Sequence, residues 1–218
     1  MMPTFVIAID GPAASGKSSV SKLLARRLHC AHVNSGALYR AAAWGILESG
    51  ADPTDPAAVT AAAHTLQLDW APDRQDFTLL VNDQDPGPHL RDAAVAASVS
   101  PVASVPAVRD IITAFLRRMA EGRSLIMEGR DIGSVVFPDT PYKFYIDASE
   151  EIRLSRRLAQ GETDSPLSRD RQDSTRKTAP LKIAEDALVI DSTHLSLEDV
   201  VQQALDGLTA RGLAIPAE

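Results

Sequence analysis

A single cysteine, Cys30, stands among 218 residues, so an internal disulfide is excluded and the chain suits a reducing cytosol. It follows an amphipathic segment and is expected to be a small buried hydrophobe, not a nucleophile. Long apolar runs are missing as well. No stretch approaches the length of a membrane span, and the N-terminal run is too short and lacks the basic lead of a signal peptide. Positive charge is in deficit: 22 Lys and Arg against 29 Asp and Glu leave a formal net charge of −7. That balance argues against non-specific nucleic-acid binding, and it requires any phosphate chemistry to rest on arginines gathered locally. There is no internal repeat, no low-complexity tract and no Asn-Lys-x-Asp guanine motif, which weighs against a GTPase switch. With 44% hydrophobic and 23% charged residues, the chain reads as one soluble, cytoplasmic domain carrying a small insertion. No large apolar stripe is left over, so a monomer is expected.

What the chain does contain begins at residue 11. Gly11-Pro12-Ala13-Ala14-Ser15-Gly16-Lys17-Ser18, followed by Ser19, is a complete G-x-x-x-x-G-K-[ST] loop. The apolar run Phe5–Ile9 precedes it, and Ser18–Leu28 follows with apolar residues at 20, 23, 24 and 28. Strand, glycine loop and helix are the setting that this motif needs. Backbone N–H groups can wrap phosphates there, and the helix dipole favours the anion. Lys17 is placed to reach the outer phosphates and the Ser18 hydroxyl to sit on Mg²⁺, which implies a site for a nucleoside triphosphate, ATP with its metal.

Short apolar runs alternate with longer helical patterns, the signature of βαβ units and a parallel sheet. After the first strand and helix come a strand at His32-Val33 and a helix from about Ala37 to Glu48. Strands are expected at Leu125–Met127, Lys143–Ile146 and Leu188–Ile190, and a last helix follows the capping signal Ser196-Leu197-Glu198-Asp199 to about Ala210. Leu68–Trp70 and Thr78–Val81 flank a polar turn, Asp73–Asp76, which predicts an inserted antiparallel hairpin. Pro101 and Pro106 read as punctuation before a helix from about Ala107 to Glu121. Residues 161–176 are polar, with no apolar stripe, and read as a mobile, solvated lid.

Arginines beside carboxylates carry the remaining chemical information. Arg40 follows the second strand, Arg130 and Asp131 follow the third, and Arg109 opens the helix after Pro106. Arg153, Arg156 and Arg157 share one helix, and Arg169, Arg171 and Arg176 lie in the polar segment. Singly, each is most simply a solvated or ion-paired surface residue. Together they fit phosphoryl transfer, in which charge spreads over the transferred oxygens and guanidinium forks bind them bidentately. A sheet of this kind gathers Asn34–Gly36, Glu128–Asp131 and the phosphate loop along one edge. Glu128 and Asp10 are the carboxylates available behind a metal at Ser18.

With these residues in view, the chain resembles the bacterial cytidylate kinases over nearly its whole length. The resemblance rests on Ile7–Pro12 with the phosphate loop, Ser35-Gly36-Ala37-Leu38-Tyr39-Arg40, Val108-Arg109, and above all Glu128-Gly129-Arg130-Asp131-Ile132-Gly133-Ser134-Val135-Val136-Phe137-Pro138-Asp139. Ala179–Leu181, Ala184–Ala187 and Ile190–Thr193 complete it. It implies an α/β, three-layer P-loop kinase fold with a five-stranded parallel sheet, a small antiparallel insertion and a helical lid. The core would comprise 1–67, 107–152 and 177–218, the acceptor-binding insertion about 68–106 and the lid about 153–176. By position, Ser35, Ser100, Arg109, Asp131 and Arg176 resemble the cytosine-recognising set, and Asp173 the ribose contact. Arg40, Arg130 and Arg169 resemble acceptor-phosphate ligands, and Arg156 and Arg157 lid residues around the donor phosphates. The implied reaction is phosphoryl transfer from ATP to CMP or dCMP, with Lys17, Arg130, Arg156, Arg157 and Arg169 as the catalytic cations. The chain departs from the family at Asn34, where many relatives carry an acid, and at Ala14, where glycine is common.

Overall fold

The computed structural model describes residues 4–72, 77–159, 166–176 and 179–216. The polar turn expected at Asp73–Asp76 lies outside the described residues, as does 160–165 of the expected lid. In chain order the elements are β1 (Val6–Asp10), α1 (Lys17–Arg27), β2 (Ala31–Asn34), α2 (Ser35–Glu48), α3 (Pro56–Thr65), β3 (Leu68–Pro72), β4 (Phe77–Val81), α4 (Ala93–Ser104), α5 (Pro106–Ala120), β5 (Leu125–Gly129), β6 (Tyr142–Asp147), α6 (Glu150–Ala159), α7 (Pro166–Ser174), β7 (Leu188–Asp191) and α8 (Leu197–Ala210). The chain divides into two compact units, residues 1–33 with 122–218, and residues 34–121.

The first unit is built on a five-stranded sheet in the order β2-β5-β1-β6-β7. β1 pairs parallel to both β5 and β6, and β6 parallel to β7, with Ile9 opposite Glu128 and Phe144. Strands covered on both faces need unbroken apolar runs, and Ile7, Ala8 and Ile9 are fully buried. Val20, Leu24 and Leu28 on and just after α1 join Val200, Val201, Ala204 and Leu208 of α8 in one core with Ile7, Ile9, Phe144, Ile146 and Ile190. Cys30 is half-buried against that core, and burial pushes its thiol up to about 12, so it is no nucleophile. The capping signal before α8 is a full capping box, in which Ser196 Oγ accepts the Asp199 N–H at 3.2 Å and the Asp199 carboxylate answers at the Ser196 N–H.

The second unit packs α2 to α5 with the expected hairpin, β3 antiparallel to β4, Leu68 opposite Val81. Asn34 caps α2, its Oδ1 accepting the Ala37 N–H at 3.1 Å, so the residue that departs from the family still does a capping acid's local work. α3 starts at Asp55-Pro56, cap and first-turn proline together. Pro101 does not precede a helix but lies inside α4. Its missing N–H forfeits one bond near the helix end, while Val95, Val99 and Val102 on the same helix are buried and hold it. The chain then turns by 95° at Val105 into α5. Among the described residues no single helix is long and apolar enough to cross a membrane.

Candidate active site

The phosphate loop leaves β1 through Gly11, where a Cβ would stand 2.1 Å from the Ile146 carbonyl oxygen, so only glycine fits that approach. Ala14 (φ 59°) and Gly16 (φ 94°) both adopt the left-handed region that bends the loop into α1. Gly16 gives α1 no side-chain cap, which leaves the first-turn N–H groups available to an anion. Ser15 is fully buried, and its Oγ has no hydrogen-bond partner among the described residues. Lys17 is buried beneath the loop and donates from Nζ to the Pro12 carbonyl at 2.9 Å. Burial and the neighbouring Arg130 charge lower its pKa to about 7, against the pull of Glu128, Asp170 and Asp10. An ammonium held that far from comfort gains most when an anion arrives beside it.

Behind the loop runs a short relay. Ser18 Oγ donates to Glu128 Oε2 at 2.6 Å, and His32 Nε2 meets Glu128 Oε1 at 3.0 Å. Burial acts to raise the Glu128 pKa, but the His32 hydrogen bond, the Lys17 charge and the Ser18 hydroxyl outweigh it, and the carboxyl titrates below its ordinary value. Asp10 behaves oppositely. Its carboxylate accepts the N–H groups of Ile132 at 2.9 Å and Gly133 at 2.8 Å, yet burial raises its pKa to about 6. A folded-state pKa above the unfolded value contributes stability that is present below pH 3.8 and lost as pH rises through about 6. Relative to Asp10→Asn, the wild-type protein should therefore lose about 3 kcal/mol of unfolding free energy from well below the lower value to well above the upper. Chemical denaturation of both proteins across that range checks this; parallel curves would overturn it.

Arginines fasten the loop from the other side. Arg156 Nη1 donates to the Ser15 carbonyl at 3.1 Å and to Ser192 Oγ at 3.0 Å, and its Nη2 to the Ser192 carbonyl at 2.9 Å. Arg153, buried on the same helix, donates to the Ala13 carbonyl at 3.1 Å and pairs with Asp170. Asp170 Oδ1 in turn accepts the Ala13 N–H at 2.8 Å, so one ion pair grips both ends of a single loop residue. Arg153 is one of the arginines that the sequence groups on one helix, without an assigned role of its own, and Asp170 is not among the expected site residues. Residues 166–174 of the polar segment are helical, held by ion pairs in place of an apolar stripe. Asp173 accepts from Arg130 Nε at 3.0 Å and also pairs with Arg176, which brings three expected residues together. Arg157 is half-buried on α6, and the backbone of Arg169 lies on α7. Asp131 is buried at the start of the π-helical turn Ile132–Val136.

The second unit holds the other expected residues. Ser35 is buried at the first position of α2. Arg40 donates to the Leu90 carbonyl at 3.2 Å, and Ser100 is half-buried on α4. Arg109 is buried, donates to the Ala103 carbonyl at 3.3 Å and lies 5.3 Å from the Tyr39 ring centroid.

In the first unit, then, backbone N–H groups, a buried lysine and paired arginines line the C-terminal edge of a parallel sheet, which suits a polyphosphate. Among the described residues no three His, Cys, Asp or Glu side chains gather to hold a metal. The hydroxyl of Ser18 backed by one carboxylate is instead an all-oxygen donor set, and it fits a hard cation that takes its remaining ligands from phosphates and water.

A family model described as cytidylate kinase matches residues 7–210. A cytidylate kinase of Rhodococcus jostii (strain RHA1) is 41% identical over 212 residues, 92% of this chain and 93% of that protein. Another, from Mycobacterium leprae (strain Br4923), is 38% identical over 226 residues, 98% of this chain and 100% of its own. Among solved structures, TT1252 from Thermus thermophilus covers 98% of this chain and 100% of itself with a TM-score of 0.51 at 18% identity, a likeness of fold alone.

Proposed function

The chain belongs to the cytidylate kinase family, nucleoside monophosphate kinases with a P-loop fold, and from that premise we propose that it transfers the γ-phosphoryl group of ATP to CMP or dCMP. The products are ADP and CDP or dCDP, and the setting is cytoplasmic pyrimidine nucleotide metabolism, with the protein acting as a monomer. The observation that carries the reading is one continuous family match, residues 7–210, spanning both the phosphate loop and the Glu128–Asp139 segment.

Residues 11–19 wrap the triphosphate, and Lys17 neutralises charge on its outer groups. Ser18, with Glu128 behind it, would hold Mg²⁺, which when bound shields phosphate charge and draws electron density from the γ-phosphorus. An oxygen of the acceptor phosphate attacks that phosphorus while the bond to the β–γ bridging oxygen breaks, and ADP leaves. The attacking oxygen is already an anion, so no side chain need act as general base. By their positions in the family's motifs, Arg40, Arg130 and Arg169 serve the acceptor phosphate. Asp131 and Arg176, with Ser35, Ser100 and Arg109, recognise cytosine, and Asp173 the ribose. Residues 153–176, carrying Arg156 and Arg157, form the lid, and 68–106 the acceptor-binding insertion on a single kinase domain.

ADP release measured with CMP, dCMP, UMP, AMP and shikimate in turn tests this directly. The expected result is turnover with CMP or dCMP well above the others; preference for AMP or shikimate would overturn it.

A further inference from the structure

One buried side chain beside the phosphate loop has no part in the reaction just described. His32 sits on β2, the strand next to β5, and its ring is only 8% exposed. Across the strand pair it faces Glu128, itself 2% exposed, which meets His32 at Oε1 and Ser18 at Oε2. An ionised carboxylate can only accept, so with Glu128 as carboxylate the ring nitrogen facing it carries the proton. We infer that His32 is a positioning residue for the divalent-cation site: its Nε2–H fixes the plane of Glu128, and Glu128 thereby fixes the Ser18 oxygen.

The physical need is specific. A glutamate held by Ser18 alone can still rotate about its terminal bond, carrying the serine hydroxyl with it. A second hydrogen bond at the opposite oxygen removes that freedom, as outer ligands do around metal sites generally. His32 is not a general base here, because the acceptor oxygen is already ionised. Nor does ordinary packing account for the pair, since a phenyl ring would fill the same space without the bond.

The inference rests on the phosphoryl-transfer reading for its metal but is tested apart from it. Mn²⁺ binding to the full-length protein saturated with ADP, followed by electron paramagnetic resonance, is the readout. His32→Phe should weaken Mn²⁺ binding about 10- to 100-fold, the usual effect of losing such a partner. His32→Gln, which keeps an N–H donor, should stay within about threefold of wild type. ADP affinity without metal should be unchanged in both variants, whereas a general loss of folding would lower it. Unchanged Mn²⁺ affinity in His32→Phe, or equal impairment in His32→Gln, would overturn the inference; so would a wild-type ADP complex that binds no Mn²⁺. Wild-type protein whose Mn²⁺ binding depends on His32 but which leaves CMP untouched would support the inference and sink the acceptor assignment alone.

Discussion

Lys17→Ala is expected to reduce turnover with ATP and CMP by about 10²–10³-fold, the size of effect seen when one charge-stabilising donor is removed from a reacting group. The fold explains why the loss should be catalytic and not structural. Lys17 is buried, and its Nζ donates to the Pro12 carbonyl within the same loop. Burial and Arg130 lower its pKa to about 7, so the protein's own groups stabilise the ammonium poorly. Removing an ill-accommodated cation costs the folded state little, and the melting temperature should move by no more than about 3 °C. The phosphates, by contrast, lose a cation in a water-poor site where each charge counts heavily. Steady-state kinetics with matched thermal unfolding checks both halves. Turnover within about threefold of wild type would contradict the role of Lys17, and a large drop in melting temperature would show the loss to be one of folding.

The same contrast between local and distant causes decides what could be read from the sequence. The β1–loop–α1 unit was legible because its letters are consecutive: an apolar run, a glycine loop and a helical stripe each declare themselves. The β3–β4 hairpin was legible for the same reason, two alternating runs about a polar turn. α7 was not, because what holds it is not a stripe but carboxylates pairing with arginines elsewhere, Asp173 with Arg130 at a separation of 43 residues and Asp170 with Arg153 at 17. Single-sequence patterns carry no trace of such pairing. At Pro101 the intrinsic preference of proline against a helix interior is overridden by burial of the flanking valines. α3 was missed although Asp55-Pro56 is a proper start signal, since its alanine-rich body shows almost no polar face to mark a period. At the site, Ser18 and Glu128 could be linked by motif reasoning, whereas His32 became visible only when strand order set β2 beside β5. Asp170 was hidden likewise, as was the target it shares with Arg153, the backbone of Ala13.

Asp131 carries the second large expectation, because it tests the acceptor half of the reading without disturbing the donor half. Its backbone is pinned independently of its side chain: its carbonyl accepts the N–H groups of Val135 at 2.9 Å and Val136 at 3.2 Å. The next two N–H groups, of Ile132 and Gly133, are held by Asp10. Truncating the carboxylate should therefore leave the turn in place. In the proposed role that carboxylate accepts the amino group at cytosine position 4, where uracil presents a carbonyl instead. A buried acceptor facing another acceptor is repelled and unsatisfied, and discrimination follows from that mismatch. Asp131→Ala should lower kcat/KM for CMP by about 10²-fold, the equivalent of about 3 kcal/mol for a charge-assisted bond in a buried site, while KM for ATP stays within about twofold. Asp131→Asn sharpens the test, since its amide can present either an acceptor or a donor. It should narrow the preference for CMP over UMP, as the donor can meet the uracil carbonyl. Equal losses toward ATP and CMP in the alanine variant, or an unchanged CMP-to-UMP ratio in the asparagine variant, would remove Asp131 from base recognition and turn the search for the cytosine reader to Arg176, Arg109, Ser100 and Ser35.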